Sequence, residues 1–364
     1  VDTNLNQWYE CAGKQYFNVW QAYDTHLSDL LCGKAHVEYV IDPELVESLQ
    51  GIKRPNTDPL YIRSLIITQL KKLRKKYNKI RLLYSGGTDS HTILKLCVDN
   101  DIYIDETVTH MISYKQTPKL NIEYLHGIKF AKDNFPRCIG KVTIIHPEID
   151  DLNFYFQRDW YKNIDVVRGS PFWLRGQYIH RYMPPADNDT ITLTGMEKPQ
   201  INYSAGKLEW CLLDDPISEY MKTDSIYHIF CDKNNPELIA SQLYALIDNF
   251  GSFKDGHNCV YDLPANKRMD CIKKLGYYST GKAYIDKALV GKKSFNTSIK
   301  NKLWIQELLH LGHNNIMDLI YESHNKIFLK YRDIPYGVEY NNGFVKSVGK
   351  FSQKITIKQD GFDT

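Results

Sequence analysis

The hexapeptide Ser85-Gly86-Gly87-Thr88-Asp89-Ser90 carries the densest chemistry in the sequence. It follows the short apolar run Ile80–Tyr84, which reads as a strand, and opens Asp89–Val98, which reads as a helix. Adjacent glycines can take backbone angles closed to other residues and let an anion approach the main chain. Their amides, with those of the first helical turn, form a concave set of donors at the positive end of a helix. The Ser85 and Ser90 hydroxyls add two further donors. Asp89 repels phosphate, so its expected task is to hold a Mg²⁺ ion that neutralises phosphate charge. The turn is therefore expected to bind the phosphates of a nucleotide. Ser85, Gly86, Gly87, Thr88, Asp89 and Ser90 are the expected contacts, and Asp89 is both metal ligand and catalytic residue.

The elements that must position this loop form a run of βα units over residues 79–250. After the first strand and helix, Thr107–Tyr114 reads as a second strand followed by a helix over Asn121–Asn134. Lys141–His146 reads as a third strand, with helical stretches near Leu152–Lys162 and Pro171–Tyr182, and Thr190–Thr194 as a fourth, ending on Gly195. Strands and helices alternating at these intervals predict an α/β fold with a parallel sheet covered on both faces. Ligands of such sheets collect beyond the carboxyl ends of the strands. The segments Ser85–Ser90, Ser113–Gln116, His146–Asp151 and Gly195–Pro199 are thus expected to face one crevice. Residues 1–78 read as a helical N-terminal extension around one extended segment, His36–Ile41. Asp42-Pro43 begins a turn after it, and Asn56-Thr57-Asp58-Pro59 caps the helix running toward Tyr77. Residues 251–364 read as a mixed region contributing to the substrate site, and Phe344–Lys358 alternates like a strand or forms a tail.

Lys plus Arg number 46 and Asp plus Glu 43, a net charge of +3 too even to argue for nucleic acid as an obligatory partner. The basic run Lys71-Lys72-Leu73-Arg74-Lys75-Lys76 reads as the solvated face of an amphipathic helix whose apolar side is Leu65, Ile66, Leu70 and Leu73. The eight cysteines show no C-x-x-C pair, and no apolar run approaches a membrane span. Buried, reduced thiols in a cytoplasmic protein are expected, with Cys97 and Cys211 as examples. The sequence contains neither G-x-x-x-x-G-K-[ST] nor G-x-G-x-x-G, which argues against P-loop, kinase-type and dinucleotide-binding folds.

The strand followed by SGGTDS resembles the PP-loop of the ATP pyrophosphatases, a branch of the adenine nucleotide α-hydrolase-like (HUP) fold. The resemblance covers residues 80–200 well and Asn234–Phe250 loosely. It implies cleavage of ATP between the α- and β-phosphates: a substrate oxygen attacks the α-phosphorus, pyrophosphate leaves, and a nitrogen or sulfur nucleophile displaces AMP. By the same resemblance the end of the second strand contacts adenine, which makes Met111, Ile112 and Ser113 candidates. The fourth strand's exit, Thr194-Gly195-Met196-Glu197-Lys198-Pro199, stands where asparagine synthetase-like domains carry a second glycine-containing loop, and it departs from their acidic, glycine-rich version. There Gly195 is a nucleotide contact, Glu197 holds Mg²⁺ or orients the amine, and Lys198 meets charge developing on pyrophosphate. Arg168, Arg175 and Arg181, interleaved with aromatic residues, offer guanidinium groups; Arg168 and Arg175 are the candidates for gripping the second substrate. Lys346 and Lys350 resemble a late basic segment that closes over ATP.

The branch closest in style is that of the asparagine synthetase-like synthetase domains. No cysteine follows Cys271, which tells against the reactive late cysteine of PAPS reductases, and no zinc-holding cysteine cluster of the preQ0-forming kind is visible. Cys11 falls in what reads as a helix, so a glutaminase domain with an N-terminal cysteine is not expected. The expected activity is an AMP-forming carbon–nitrogen ligase acting on a small-molecule or nucleotide substrate. Its nitrogen would come from an amine donor, from free ammonia or from a separate amidotransferase, and a homodimer is compatible with this style. Viral and phage proteins use free-standing PP-loops of this kind, with nucleotide or nucleobase modification as a natural use. A sulfur-transfer enzyme and a non-catalytic ATP- or AMP-binding module are the alternatives. His310, His313 and His324 read as surface or packed histidines because Gly312 breaks the helix that would align them. Phe154-Tyr155-Phe156 and Trp160 read as core or pocket wall and not as a base-stacking platform.

Overall fold

A computed structural model describes residues 7–16, 19–111, 122–146, 189–195, 199–204, 207–211, 226–249, 273–277, 309, 314–335, 338–341, 344–347, 350–351, 355–358 and 361–363. The fold is mixed α/β around a five-stranded, all-parallel sheet. Its strands are β4 (Lys79–Leu83), β5 (Glu106–His110), β6 (Val142–Ile145), β7 (Thr190–Thr194) and β10 (Ile226–His228), in the order β10-β7-β4-β5-β6. The chain thus winds outward from β4 through β5 to β6 and returns to the other side of β4 with β7 and β10. The order reverses between β4 and β7, the point where doubly wound sheets open a crevice.

One face of this sheet is covered by α4 (Pro59–Lys76), α5 (Thr88–Asp99), α6 (Ile122–Asp133) and α7 (Pro236–Asn249). The N-terminus of α4 forms as its sequence dictates. Asp58 caps it by accepting from the Leu60 and Tyr61 amides, and proline occupies the first turn, where no intrahelical donor is needed. Ile62, Ile66, Leu70 and Leu73, spaced by three or four residues, are buried against the sheet. Lys71, Lys72, Lys75 and Lys76 are exposed, as expected. Arg74 is not part of that solvated face: it pairs with Asp105 at 2.5 Å and donates to the carbonyls of Tyr77 and Asn78, joining the helix end to the sheet.

Three expectations about the N-terminal segment need correction. The N-terminal segment is not a purely helical extension. It contains the hairpin β1 (Gln7–Cys11) and β2 (Lys14–Tyr16), and β1 also pairs antiparallel with β3 (Val37–Ile41). Cys11, read as helical, ends β1 with its thiol buried and its pKa raised, first by that burial and then by the charge of Asp29. Around the hairpin lie the helices α1 (Val19–Thr25), α2 (Leu27–Leu31) and α3 (Pro43–Gln50). Asp42-Pro43 starts that last helix rather than a turn, with the Asp42 side chain accepting from the Glu44 amide. One continuous apolar core runs from Trp20 and Tyr23 through Ile66, Leu82 and Ile191 to Leu243, so these N-terminal elements and the parallel sheet bury the same surface.

The remaining described elements are the hairpin β8 (Gln200–Ser204)–β9 (Lys207–Cys211), helix α8 (Asn314–Tyr331), and the strands β11 (Val338–Asn341), β12 (Phe344–Ser347), β13 (Lys350–Phe351), β14 (Ile355–Lys358) and β15 (Gly361–Asp363). Tyr331 of α8 packs on Trp20 and Tyr23 at ring-centroid distances of 5.3 and 5.4 Å and donates to Asp24. Lys350, expected in a late segment that closes over ATP, begins a strand. Its strand β13 pairs in parallel with β3, aligning Lys350 with Glu38 in the N-terminal sheet and not in the sheet that carries the glycine loop. Among the described residues no helix is long and apolar enough to cross a membrane.

Candidate functional site

The loop Ser85–Ser90 leaves β4 at the point where the strand order reverses and runs directly into α5. Its entry is fixed by the sheet: the Tyr84 amide donates to the Val108 carbonyl, and the Thr109 hydroxyl donates to the Tyr84 carbonyl at 2.7 Å. Gly86 then takes a φ of +71°, a conformation a side chain would strain, which turns the chain across the strand end. Gly87 is the residue before α5, and no side chain caps the helix. The Gly87 amide donates to the Ser85 hydroxyl at 3.2 Å, while the His91 amide closes the first helical bond to the Gly87 carbonyl. The amides of Thr88, Asp89 and Ser90 thus stand at the helix start with no capping side chain, the arrangement in which a helix terminus accepts an anion.

The two serine hydroxyls have a role inside the loop itself. Ser90 is buried; its hydroxyl accepts from the Ser85 amide at 3.3 Å, lies 3.2 Å from the Ser85 hydroxyl and donates to the Gly87 carbonyl at 3.3 Å. These are long bonds that hold the loop in shape and are weak enough for a bound anion to displace. Asp89 is half-buried in the first turn of α5.

Three neighbours fix the loop from outside. Gly195, at the end of β7, is pressed against the start of α5: a Cβ on it would lie 3.1 Å from the Asp89 carbonyl carbon, the Asp89 Cβ and the Ser90 amide. The exits of β4 and β7 therefore meet, as the expected crevice requires. Gly127 of α6 approaches Gly86 more closely still, a Cβ on it falling 2.7 Å from the Gly86 Cα. Behind the loop, the Tyr84 hydroxyl lies 2.9 Å from His91 Nδ1, and the His91 ring meets Phe130 of α6 edge-on at 4.7 Å. Burial lowers the His91 pKa, helped by the charge of Lys95 and opposed by Asp99, and burial raises that of Tyr84. Both rings are thus held neutral, as packing pieces rather than charges. Gly127, His91 and Phe130 lie outside the sequence motif. Only the glycine interrupting the helical pattern at His126-Gly127 signals a close approach.

Met111 follows β5, one strand from the loop. Its amide donates to the Ile145 carbonyl and its side chain packs with Tyr124, Ile128 and Ile144, so a main-chain contact to adenine at this residue falls to its carbonyl. The structure thus brings together Ser85–Ser90 and Gly195, with Met111 on the adjoining strand, while Lys350 begins β13, paired with β3. Ile112, Ser113, Arg168, Arg175, Arg181, Glu197 and Lys198 lie outside the described residues.

On the face opposite α4 and α5, a polar network crosses the sheet. Arg81 Nε donates to Glu106 at 2.9 Å, and the Thr143 hydroxyl and Lys141 reach the same carboxylate at 2.5 and 3.3 Å. Burial pushes the Glu106 carboxyl up, but these hydrogen bonds and the Arg81 charge outweigh it and hold the group below its usual value. At the carboxyl end of β10, His228 is buried and held neutral, with its pKa lowered to about 4 by loss of solvent.

Among the described residues, no group of three or more His, Cys, Asp or Glu side chains is arranged to hold a metal. Magnesium in nucleotide sites is held by one or two carboxylates with the remaining ligands from phosphates and water, so the Asp89 carboxylate in the first turn of α5 fits an ion that arrives with a nucleotide. Comparison with known proteins finds no family whose model matches this chain and no curated protein that matches it.

Proposed function

We propose that the chain is an ATP-dependent adenylating enzyme with a PP-loop on an adenine nucleotide α-hydrolase-like core. It would convert ATP to AMP and pyrophosphate while activating an acceptor oxygen for attack by an amine or ammonia. The observation that carries this reading is the uncapped start of α5, preceded by two glycines and seated at the reversal of strand order against the exit of β7.

The chain's own residues have definable tasks on this reading. The amides of Thr88, Asp89 and Ser90 and the α5 terminus bind the β- and γ-phosphates, the part that departs as pyrophosphate. Gly86, with its left-handed backbone, leaves no side chain between the phosphates and the main chain. The Ser85 and Ser90 hydroxyls exchange their long internal bonds for phosphate oxygens. Asp89 holds Mg²⁺, which when bound neutralises charge on the phosphates. Catalysis on this scheme is chiefly positioning and charge stabilisation. Met111 at the end of β5 suits the adenine side of the crevice. The acceptor, a small molecule or nucleotide, would occupy the side toward β7 and β10, with Glu197, Lys198, Arg168 and Arg175 retained as candidates.

Binding of ATP with Mg²⁺ by calorimetry, followed by exchange of labelled pyrophosphate into ATP across a panel of acceptors, tests the proposal. Wild-type protein should bind ATP, show acceptor-dependent exchange, and lose that exchange in Asp89→Ala. Nucleotide binding with no exchange for any acceptor would favour a non-catalytic module. Absence of binding would end the proposal.

A further inference from the structure

On β7 and β10, three polar atoms are enclosed and make no hydrogen bond: both ring nitrogens of His228, at the carboxyl end of β10, and the hydroxyl oxygen of Thr192, midway along β7. Buried polar atoms are almost always satisfied, and exceptions concentrate where a ligand, ion or water belongs. Their placement is specific. His228 ends β10 in register with Thr194 of β7, and Gly195 next in the chain lies against Asp89 and Ser90. Neighbouring strands are about 4.8 Å apart, so His228 stands one strand from the residue whose successor touches the glycine loop.

Register also fixes the face. Tyr227 bonds Gln69 of α4 and Asp232, so it lies on the face that α4 covers, and His228, the next residue, lies on the opposite one. Thr192 pairs with Ile226, two residues before His228, and so shares the His228 face. His228 and Thr192 are therefore diagonal neighbours on one side of β7 and β10, with His228 at the end where ligands of such sheets bind and Thr192 two register positions deeper.

The chemistry of the pair narrows what they suit. The imidazole is neutral, so it carries one donor and one acceptor nitrogen, and a hydroxyl both donates and accepts. A carboxylate or phosphate entering here would bring acceptors alone and leave the acceptor nitrogen of the imidazole unmatched. A group presenting both a donor and an acceptor without formal charge suits the pair.

We propose that His228, with the Thr192 hydroxyl, is a specificity-determining contact that reads an uncharged amide-type edge of the acceptor substrate, a carboxamide or the lactam of a nucleobase. This rests on the adenylating function proposed above and names the substrate class for the β7–β10 side of that site.

The test uses the full chain, labelled with ¹⁵N in its histidine rings, with and without ATP and Mg²⁺. Inosine and uridine serve as lactam probes, asparagine as the carboxamide probe, and aspartate and inorganic phosphate as charged controls. At least one uncharged probe should move the His228 ring resonances while the controls do not, and the responding probe identifies the source of the amide edge. In His228→Leu, affinity for that probe should fall about tenfold, the loss expected when a hydrogen-bonding partner is removed, with ATP affinity unchanged. Thr192→Val, which keeps the shape, should weaken the same probe. If ATP binds but no uncharged probe moves His228, or if His228→Leu binds the probe like wild type, His228 is a packing residue and this inference fails while the nucleotide reading stands. If ATP does not bind, the adenylating reading fails first, and with it the assignment of this edge to an acceptor.

Discussion

Gly127 in the middle of α6 and Gly86 in the glycine loop touch backbone to backbone. A Cβ on Gly127 would lie 2.7 Å from Gly86 Cα, 3.1 Å from its amide and 3.2 Å from Tyr84 Cε1. A glycine inside a helix costs about 1 kcal/mol relative to alanine, so Gly127→Ala should stabilise α6 considered alone. The contact reverses the sign. Neither partner is the far end of a flexible side chain, so the loop or the helix must move, and overpacking of that kind costs about 1–3 kcal/mol. Gly127→Ala is therefore expected to lower stability in urea unfolding and to weaken ATP binding by calorimetry. A variant more stable than wild type would show that α6 does not hold the loop.

Gly195 makes a gentler test of the same idea from the other side. Its Cβ would come 3.1 Å from three atoms of the first turn of α5, close enough that the turn must yield by a few tenths of an ångström. Gly195→Ala should cost about 1 kcal/mol of stability at most, within the range for small overpacking, but should weaken ATP binding because the displaced amides are the ones that bind phosphate. Gly51→Ala is the control. Its nearest atom would be an ordinary 3.6 Å away, at the end of α3 and remote from the loop. It should leave both measurements unchanged, and equal losses in the two variants would contradict the geometry.

The parallel sheet was legible because its signals are local. Four of its five strands stand out as short apolar runs, and SGGTDS marks the first βα junction by itself, whereas the three-residue strand β10 is too short to be read from sequence. Asp58-Pro59 likewise states its own helix start. The β1–β2 hairpin was hidden by its turn. Ala12 and Gly13 both have positive φ, 49° and 71°, a conformation sequence reading associates with Asn-Gly or Asp-Gly. Asp42-Pro43 fits a turn or a helix start equally well in sequence, and the apolar spacing of Leu45, Val46 and Leu49 decides for helix. Partners across the site were beyond local reading: nothing in sequence pairs Gly127 with Gly86, or sets His228 beside Thr194. Lys350 shows the converse, since a basic residue in a suggestive segment is placed by the strand it pairs with, here β3.

Arg81 and Glu106 are an ion pair with side chains only 9% and 12% exposed. Removing one partner of such a pair leaves an uncompensated charge, which costs about 3–5 kcal/mol when the pair is buried. Arg81→Met should fall at or below the lower end, because Lys141 stays 3.3 Å from the Glu106 carboxylate and the Thr143 hydroxyl stays bonded to it. Arg81→Met combined with Glu106→Leu should recover most of the loss. Urea midpoints of the two single variants and the double variant give the coupling directly. A double variant as unstable as the sum of its singles would show that the pair does not act as a unit.

His228 ties stability to pH with a definite sign. Its folded pKa of about 4 lies below the ordinary value of 6.5, so between these limits the unfolded chain takes up a proton that the folded chain refuses. Its contribution is complete above pH 6.5 and is lost as pH falls toward 4. A lowering of this size corresponds to roughly 3 kcal/mol at the acid end. His91, whose pKa is also lowered by burial, adds to the same acid slope. His228→Leu removes the His228 share and forfeits no hydrogen bond, since neither ring nitrogen has one. Urea midpoints at pH 7.5, 6, 5 and 4.5 should therefore fall more steeply for wild type than for His228→Leu, with the variant at least as stable at pH 7.5. Parallel curves would mean that the imidazole takes up its proton in the folded state, which an enclosed and unpartnered ring should not do.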